Sequence, residues 1–309
     1  MPFRPSYAAA AGLALALLCA CAGCGGRQTG DGSIVVAVSI PPQAQFVERI
    51  GGEYVRPLVM VPPGASPHTY EPKPSQLAGV SEAVLYIKVG SGIEFELAWF
   101  DRLRSVNRDM LVVDASEGIA AAGRDTERRN EGTPAGGRVD PHIWVSPRNA
   151  IVMAENTFRG LAAVDPPRRA YYKANMDAYV RELRELDSML TQALAGAERR
   201  EFIVYHPAWE HLARDYGLVQ ISIETGGKEP TARGIERIVE TAKQRGITVI
   251  FASPQFNTKA AAVVAREIGG SVVLIDPLDG DYTGTMRKVA KAFSGALQRR
   301  PPADEGLKP

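Results

Sequence analysis

Cysteine is almost absent from this sequence, and its placement limits the chemistry of the folded domain. The three cysteines, Cys19, Cys21 and Cys24, all lie near the amino terminus, and none occurs from Gly25 onward. The folded domain is therefore expected to contain neither a disulfide nor a thiolate metal site.

The sequence also lacks a large excess of charge of either sign, and after the amino-terminal region it has no apolar run long enough to span a membrane. The chain has 36 Lys and Arg against 35 Asp and Glu, which gives a formal net charge of +1. Such a balance creates no field that would attract nucleic acid or another polyanion. With 45% hydrophobic and 23% charged residues, the composition is that of an ordinary globular protein large enough for two lobes.

The amino terminus has the pattern of an export signal. Arg4 precedes the apolar run 8–18, which is too short to span a bilayer but typical of a signal-peptide core. The following Leu-Cys-Ala-Cys resembles a bacterial lipobox, so Cys21 is the predicted lipidation site and Cys24 the alternative. A plain secretory signal or a lipid-free anchor is the other interpretation. In each case we expect the mature chain to be exported, and with the lipid it would be held on the outer face of the cytoplasmic membrane.

The rest of the sequence alternates short apolar runs with helical stripes. The run 34–38 is continuously apolar and rich in β-branched residues, which favours a parallel strand buried on both faces. A similar alternation restarts after residue 200. Between the two regions, apolar residues spaced by threes and fours predict one helix of roughly 28 residues and about 42 Å. The predicted fold class is α/β, with two doubly wound lobes bridged by one long rigid helix and a metal site in the cleft between them.

The sequence divides accordingly into six predicted segments. They are a lipoprotein signal peptide (1–20), a lipid-anchored tether (21–33), an amino-terminal α/β lobe (34–164), a bridging helix (165–196), a carboxy-terminal α/β lobe (197–299) and a disordered tail (300–309). Within the first lobe, the stretch 120–138 is rich in glycine and charge and has no apolar periodicity, which predicts a mobile loop.

Three of the four histidines stand where a strand or loop gives way to a helix. His68 follows Pro-Gly-Ala-Ser-Pro, His142 follows Asp-Pro, and His206 ends the apolar run 202–205. In α/β folds such junctions converge on one crevice. Together with Asp276, at the end of a predicted strand, they offer three imidazoles and one carboxylate, a donor set suited to tetrahedral zinc. Their spacing alone is not a local metal motif.

The sequences around these residues resemble a known family. Pro-Pro-Gly-Ala-Ser-Pro-His-Thr-Tyr-Glu-Pro, Asp-Pro-His-Ile-Trp-Val-Ser-Pro, Tyr-His-Pro-Ala-Trp-Glu-His-Leu and Ile-Asp-Pro-Leu occur in the order found in the substrate-binding lipoproteins of zinc and manganese ABC importers. The resemblance covers about residues 34–296. It implies two α/β lobes bridged by a long helix, with His68, His142, His206 and Asp276 as the metal ligands.

The third ligand position bears on the choice of metal. Family members that prefer manganese tend to have glutamate there, whereas zinc-preferring members have histidine, and this chain has His206. Nitrogen-rich coordination also favours zinc over the harder manganese ion. The histidine-rich loop of many zinc-binding relatives is missing, because 120–138 contains no histidine.

The function implied by the resemblance is metal uptake. The protein is expected to be a monomer that captures Zn²⁺, or alternatively Mn²⁺, as the transported ligand. It would deliver the ion to the permease of an ABC transporter driven by a cytoplasmic ATPase.

Three other polar residues lie in or near these motifs. Glu71 and Glu224 are predicted partners of the ligands, because ligating histidines usually donate their second N–H to a carboxylate or carbonyl. A solvated glutamate is the alternative interpretation for each. His211 comes five residues after His206, about 140° around a helix, so the two cannot share a metal. We interpret His211 as a surface or packing residue.

Two other functions stay open. A secreted zinc hydrolase would use three histidines with water in the fourth position and a general base such as Glu71 or Glu224, but no motif spacing supports either glutamate. A receptor for a chelated metal, such as a siderophore or corrinoid, would favour aromatic and arginine residues over three histidines. We therefore predict a binding protein and not an enzyme; the sequence does not address an adhesion role.

Overall fold

A computed structural model describes residues 32–120, 140–224, 227–256 and 258–298. The predictions for the signal peptide, for lipidation at Cys21 or Cys24, for the loop 120–138 beyond its first residue and for the tail lie outside these residues.

The amino-terminal lobe is built on a parallel sheet, which has four strands within the described residues in the order β2-β1-β3-β4. The central strand β1 pairs with a neighbour on each side, and all five of its residues are buried. This explains why its sequence is continuously apolar. The strands are β1 (Ile34–Val38), β2 (Val55–Val59), β3 (Leu85–Lys88) and β4 (Leu111–Asp114), and the helices are α1 (Pro41–Gly51), α2 (Pro74–Glu82), α3 (Glu94–Val106) and α4 (Pro147–Val164).

The carboxy-terminal lobe repeats this design. Its sheet is also parallel, and its described strands follow the order β6-β5-β7-β8. In both sheets the chain order reverses beside the first strand, so the crevice at the carboxyl ends of the strands is the expected place for a ligand. The strands are β5 (Glu201–Val204), β6 (Val219–Ser222), β7 (Val249–Ala252) and β8 (Ser271–Leu274), and the helices are α6 (Glu210–Asp215), α7 (Ala232–Gln244), α8 (Lys259–Glu267) and α9 (Tyr282–Gln298).

One long helix, α5 (Arg169–Ala195), connects the two lobes. Its 27 residues give a rod of about 40 Å. It packs against α1 and α4 of the first lobe and against α9, whose Phe293 contacts Phe202 and Phe251 of the second sheet. The buried stripe consists of Tyr172, Met176, Tyr179, Val180, Leu183, Leu186, Leu190 and Leu194. The predicted fold class is thus confirmed, while the exact segment boundaries remain predictions.

The helices of this fold are amphipathic. In the ranges that the structure describes, none of them combines the length and the apolar character needed to cross a membrane.

Candidate metal centre

The side chains of His68, His142 and His206 meet in the cleft between the two lobes. One ligand atom from each lies within 4.8 Å of the others. The Nε2 atom of His206 is 3.1 Å from Nε2 of His68 and 3.3 Å from Nε2 of His142. Two nitrogens bound to the same tetrahedral zinc at about 2.0–2.1 Å would be roughly 3.3 Å apart. The two distances from Nε2 of His206 therefore match the edges of a zinc tetrahedron, and the ligand atoms of His68 and His142 lie within 4.8 Å of each other.

His68 is presented by the loop between β2 and α2. Its backbone N–H bonds to the Ser66 hydroxyl, and the next two N–H groups bond to the Ser66 carbonyl, which closes a tight turn. Gln76 anchors the loop, since its amide donates to the carbonyl of Met60 at 2.6 Å and accepts from the Tyr70 hydroxyl at 2.7 Å. These bonds position the histidine although it is not part of a helix or strand.

His142 lies at the start of a 3₁₀ turn, Ile143–Val145, which leads into α4. One carboxylate oxygen of Asp140 accepts from the His142 backbone N–H at 3.0 Å and lies 2.6 Å from its Nδ1. The other oxygen accepts from the backbone N–H of Glu210, at the start of α6. A single buried aspartate thereby fixes the histidine ring and ties it to the second lobe.

His206 directly follows the strand β5, after Tyr205. Its ring stacks on Phe256 with the centroids 4.3 Å apart, and its Nδ1 lies 3.2 Å from the Glu224 carboxylate. Burial lowers the pKa of His206, and the neighbouring Glu224 partly opposes this effect. The ring is therefore held in the neutral form that a metal requires.

Each of the three histidines has a carboxylate at Nδ1. Ionised carboxylates only accept hydrogen bonds, so Nδ1 carries the proton and the lone pair of Nε2 faces the centre of the group. The carboxylate at Nδ1 of His206 is that of Glu224, one of the two glutamates that the sequence suggested as partners. The prediction for Glu71 is corrected, because its side chain is exposed and Glu94, at the first residue of α3, lies 2.7 Å from Nδ1 of His68.

Glu94 and Asp140 were not among the partners expected from the sequence. Glu94 is 26 residues from His68, so no local motif connects the two. The contact of Asp140 was easier to predict, because an aspartate side chain often accepts from the backbone N–H of the residue two positions later, which here is His142.

Asp276 takes a different position from the one expected. It is not part of the group that the described histidines form. Its Oδ1 atom instead accepts from the side-chain amide of Gln255 at 2.5 Å and from the backbone N–H of Leu278 at 2.8 Å. The structure thus brings together three of the four residues predicted as ligands.

His211 is a packing residue and not a surface residue. It is fully buried, where its Nδ1 accepts from the Asn149 amide and its Nε2–H donates to the carbonyl oxygen of Asp140, both at 3.0 Å. Burial lowers its pKa. The two bonds join α6 to the segment that holds His142.

The cavity beside the histidines is small. It offers about 10 Å³ to water-sized spheres, close to the least that holds one water molecule. Ligand pockets for drug-sized molecules measure about 300–1,000 Å³. Its walls are formed by Pro67, His68, His142, Trp144, His206, Ala208, Gln255, Phe256, Pro277 and Leu278. The space suits a bare ion and does not suit a chelated metal.

Comparisons with known proteins agree with the resemblance noted in the sequence. A family model described as ZnuA, zinc-uptake complex component A, periplasmic, matches residues 36–296. The zinc-binding protein AdcA of Streptococcus pyogenes serotype M1 is 28% identical over 284 residues, which cover 84% of this chain and 55% of that protein. This chain therefore spans about half the length of that relative.

Two other comparisons cover their relatives more fully. The high-affinity zinc uptake system protein ZnuA of Bacillus subtilis strain 168 is 28% identical over 253 residues, which cover 79% of this chain and 78% of that protein. The crystal structure of a ZnuA deletion mutant with zinc bound is 41% identical and superposes with a TM-score of 0.79, covering 87% of this chain and 100% of that one. With most of its length matched by the family model and its fold shared with a solved ZnuA, this chain belongs to the ZnuA family.

Proposed function

We propose that this protein is the extracytoplasmic binding component of an ABC transporter and that the ligand it captures for uptake is Zn²⁺. The spacing of the Nε2 atoms of His68, His142 and His206 carries the proposal. Support comes from the ZnuA variant that is 41% identical and has been crystallised with zinc. In this proposal the three histidines are ligands, and Asp276 completes the coordination when it enters the site.

Zinc is preferred over manganese because the assembled donors are all nitrogen. Imidazole suits zinc, whereas manganese favours carboxylate, carbonyl and water oxygens. The three carboxylates contact the Nδ1 atoms and not the centre of the group. They stabilise a dication electrostatically without replacing nitrogen as the donor.

The same arrangement favours binding over catalysis. A zinc hydrolase needs a general base beside an open coordination position. Glu224 is buried against Nδ1 of His206, and Glu71 is exposed, so neither glutamate nominated for that role is in place. The positions of these glutamates therefore disfavour a hydrolase. The small volume of the cavity disfavours a receptor for a chelated metal.

The remaining parts of the transport system complete the proposal. The chain acts as an exported monomer that is held by a lipid at Cys21, or alternatively Cys24, on the outer face of the cytoplasmic membrane. It hands the ion to the membrane permease, and the cytoplasmic ATPase drives uptake.

Uptake of radioactive zinc by the source organism tests this function. Deletion of the gene should lower zinc uptake at limiting zinc, and growth should recover with added zinc but not with added manganese. The wild-type gene should restore uptake, whereas a His206→Ala variant produced at the same level should not. Unchanged zinc uptake in the deletion strain, or full rescue by the variant, would contradict the proposal.

A further inference from the structure

Gln255 contacts both the cavity beside the histidine group and the carboxylate of Asp276. Its side chain lines the cavity beside His142 and His206. Its amide nitrogen donates to Oδ1 of Asp276 at 2.5 Å, and the same oxygen also accepts from the backbone N–H of Leu278 at 2.8 Å. Oδ1 of Asp276 therefore accepts from two donors that do not belong to the histidine group.

The orientation of the Gln255 amide follows from this contact. An ionised carboxylate can only accept, so the amide nitrogen must face Asp276 and Oε1 must point elsewhere. Oε1 is buried and has no hydrogen-bond partner in the described part of the chain. A buried acceptor without a donor is unfavourable. This conformation of Gln255 is thus maintained by its bond to Asp276.

We propose that Gln255 is a positioning residue that controls the entry of Asp276 into the metal site, and through it the selectivity for zinc. The inference rests on the proposed function. While the Gln255 amide holds the carboxylate, an arriving ion meets nitrogen donors from three histidines. Asp276 is not part of the ligand group, so it must move to coordinate, and this movement acts against the bond from Gln255 to Oδ1. The bond to Leu278 alone does not fix the carboxylate as firmly.

Loss of the amide donor should therefore favour an oxygen ligand. In Gln255→Leu the side chain keeps similar bulk but cannot donate, so Asp276 swings into the site at lower cost. An added carboxylate oxygen benefits manganese more than zinc. We expect the affinity for manganese relative to zinc to rise by about tenfold, the lower end of the effect of residues that orient metal ligands. A residue with only a structural role would instead weaken both metals together.

The test compares full-length wild-type protein, Gln255→Leu, Asp276→Ala and the double variant, all purified in detergent. Competition titrations give the ratio of manganese to zinc affinity, and the visible absorption of bound Co²⁺ reports its ligand set. Gln244→Leu, an exposed position at the end of α7, is the control for loss of a glutamine. If Gln255→Leu is unstable, Gln255→Met, which also lacks the donor, takes its place.

The inference predicts that Gln255→Leu raises the affinity ratio and changes the Co²⁺ spectrum, and that both changes vanish when Asp276→Ala is added. A ratio and spectrum like those of the wild type would overturn it, and so would changes that persist in the double variant. Equal weakening of both metals would overturn it as well. Failure of the wild type to bind zinc would overturn the proposed function and this inference with it.

Discussion

The contact between Glu94 and His68 gives the most discriminating prediction about the site. Glu94→Gln keeps an oxygen that can accept from Nδ1–H of His68 and removes only the negative charge. We expect the affinity for zinc to fall by about tenfold, the low end of the usual range for such partners. Glu71→Gln should leave the affinity unchanged, because Glu71 is exposed and Glu94 holds the position at Nδ1.

The magnitude follows from distance and exposure. The carboxylate oxygen lies 2.7 Å from Nδ1, and the side chain of Glu94 is 34% exposed. A zinc ion on Nε2 would be roughly 6–7 Å from that oxygen, given zinc–nitrogen bonds of about 2.0–2.1 Å. A dication and a single negative charge at this distance interact by about 1.3 kcal/mol in a dielectric close to that of water. This free energy corresponds to about a tenfold change in affinity.

The assay is competition against a zinc-binding dye of known affinity at pH 7.5 and fixed ionic strength. Both variants should unfold at the temperature of the wild type, which separates a loss of zinc affinity from a loss of structure. An equal effect of the two substitutions, or a larger effect of Glu71→Gln, would refute the assignment of Glu94 to His68.

Three further predictions concern the groups around the histidines. Asp140→Asn should weaken zinc binding by about a hundredfold in the same competition assay. The Asp140 carboxylate is buried against Nδ1 of His142 and also accepts from two backbone N–H groups. A loss of affinity smaller than that of Glu94→Gln would contradict this prediction. His211→Ala should lower the free energy of unfolding in urea by about 2–4 kcal/mol, since it leaves a cavity and two polar groups without partners. The same variant should still bind one zinc, and loss of stoichiometric binding would show that His211 does more than pack. The metal-free protein should become less stable below about pH 6.5. Burial lowers the pKa values of His206 and His211 in the folded protein, so the unfolded chain takes up protons that the folded chain does not. Thermal unfolding between pH 8 and pH 5 measures this loss, and an unfolding temperature that does not change with pH would contradict it.

Much of the fold could be predicted because burial leaves a periodic pattern in the sequence. The central strand Ile34–Val38 is buried on both faces and is accordingly apolar throughout. The stripe on α5 repeats at helical spacing because one side of that helix faces both lobes. The shared strand order of the two sheets could not be predicted, since similar topology does not require similar sequence.

The three histidines could be predicted as a group because each follows a strand or loop in an α/β pattern. The contacts that orient them could not, since they depend on which loops meet in space. Glu94 reaches His68 only because α3 begins beside the loop after β2. Asp276 was expected to join the histidines, but it lies outside their group and its Oδ1 accepts from the Gln255 amide.

Native mass spectrometry of the full-length protein tests the central claim most directly. The protein would be stripped of metal with a chelator and then titrated with zinc and manganese in competition. We expect one zinc per chain, bound in preference to manganese and lost when His68, His142 or His206 is changed to alanine. Preferential binding of manganese would contradict the assigned metal, and the absence of any stoichiometric metal would contradict the site itself.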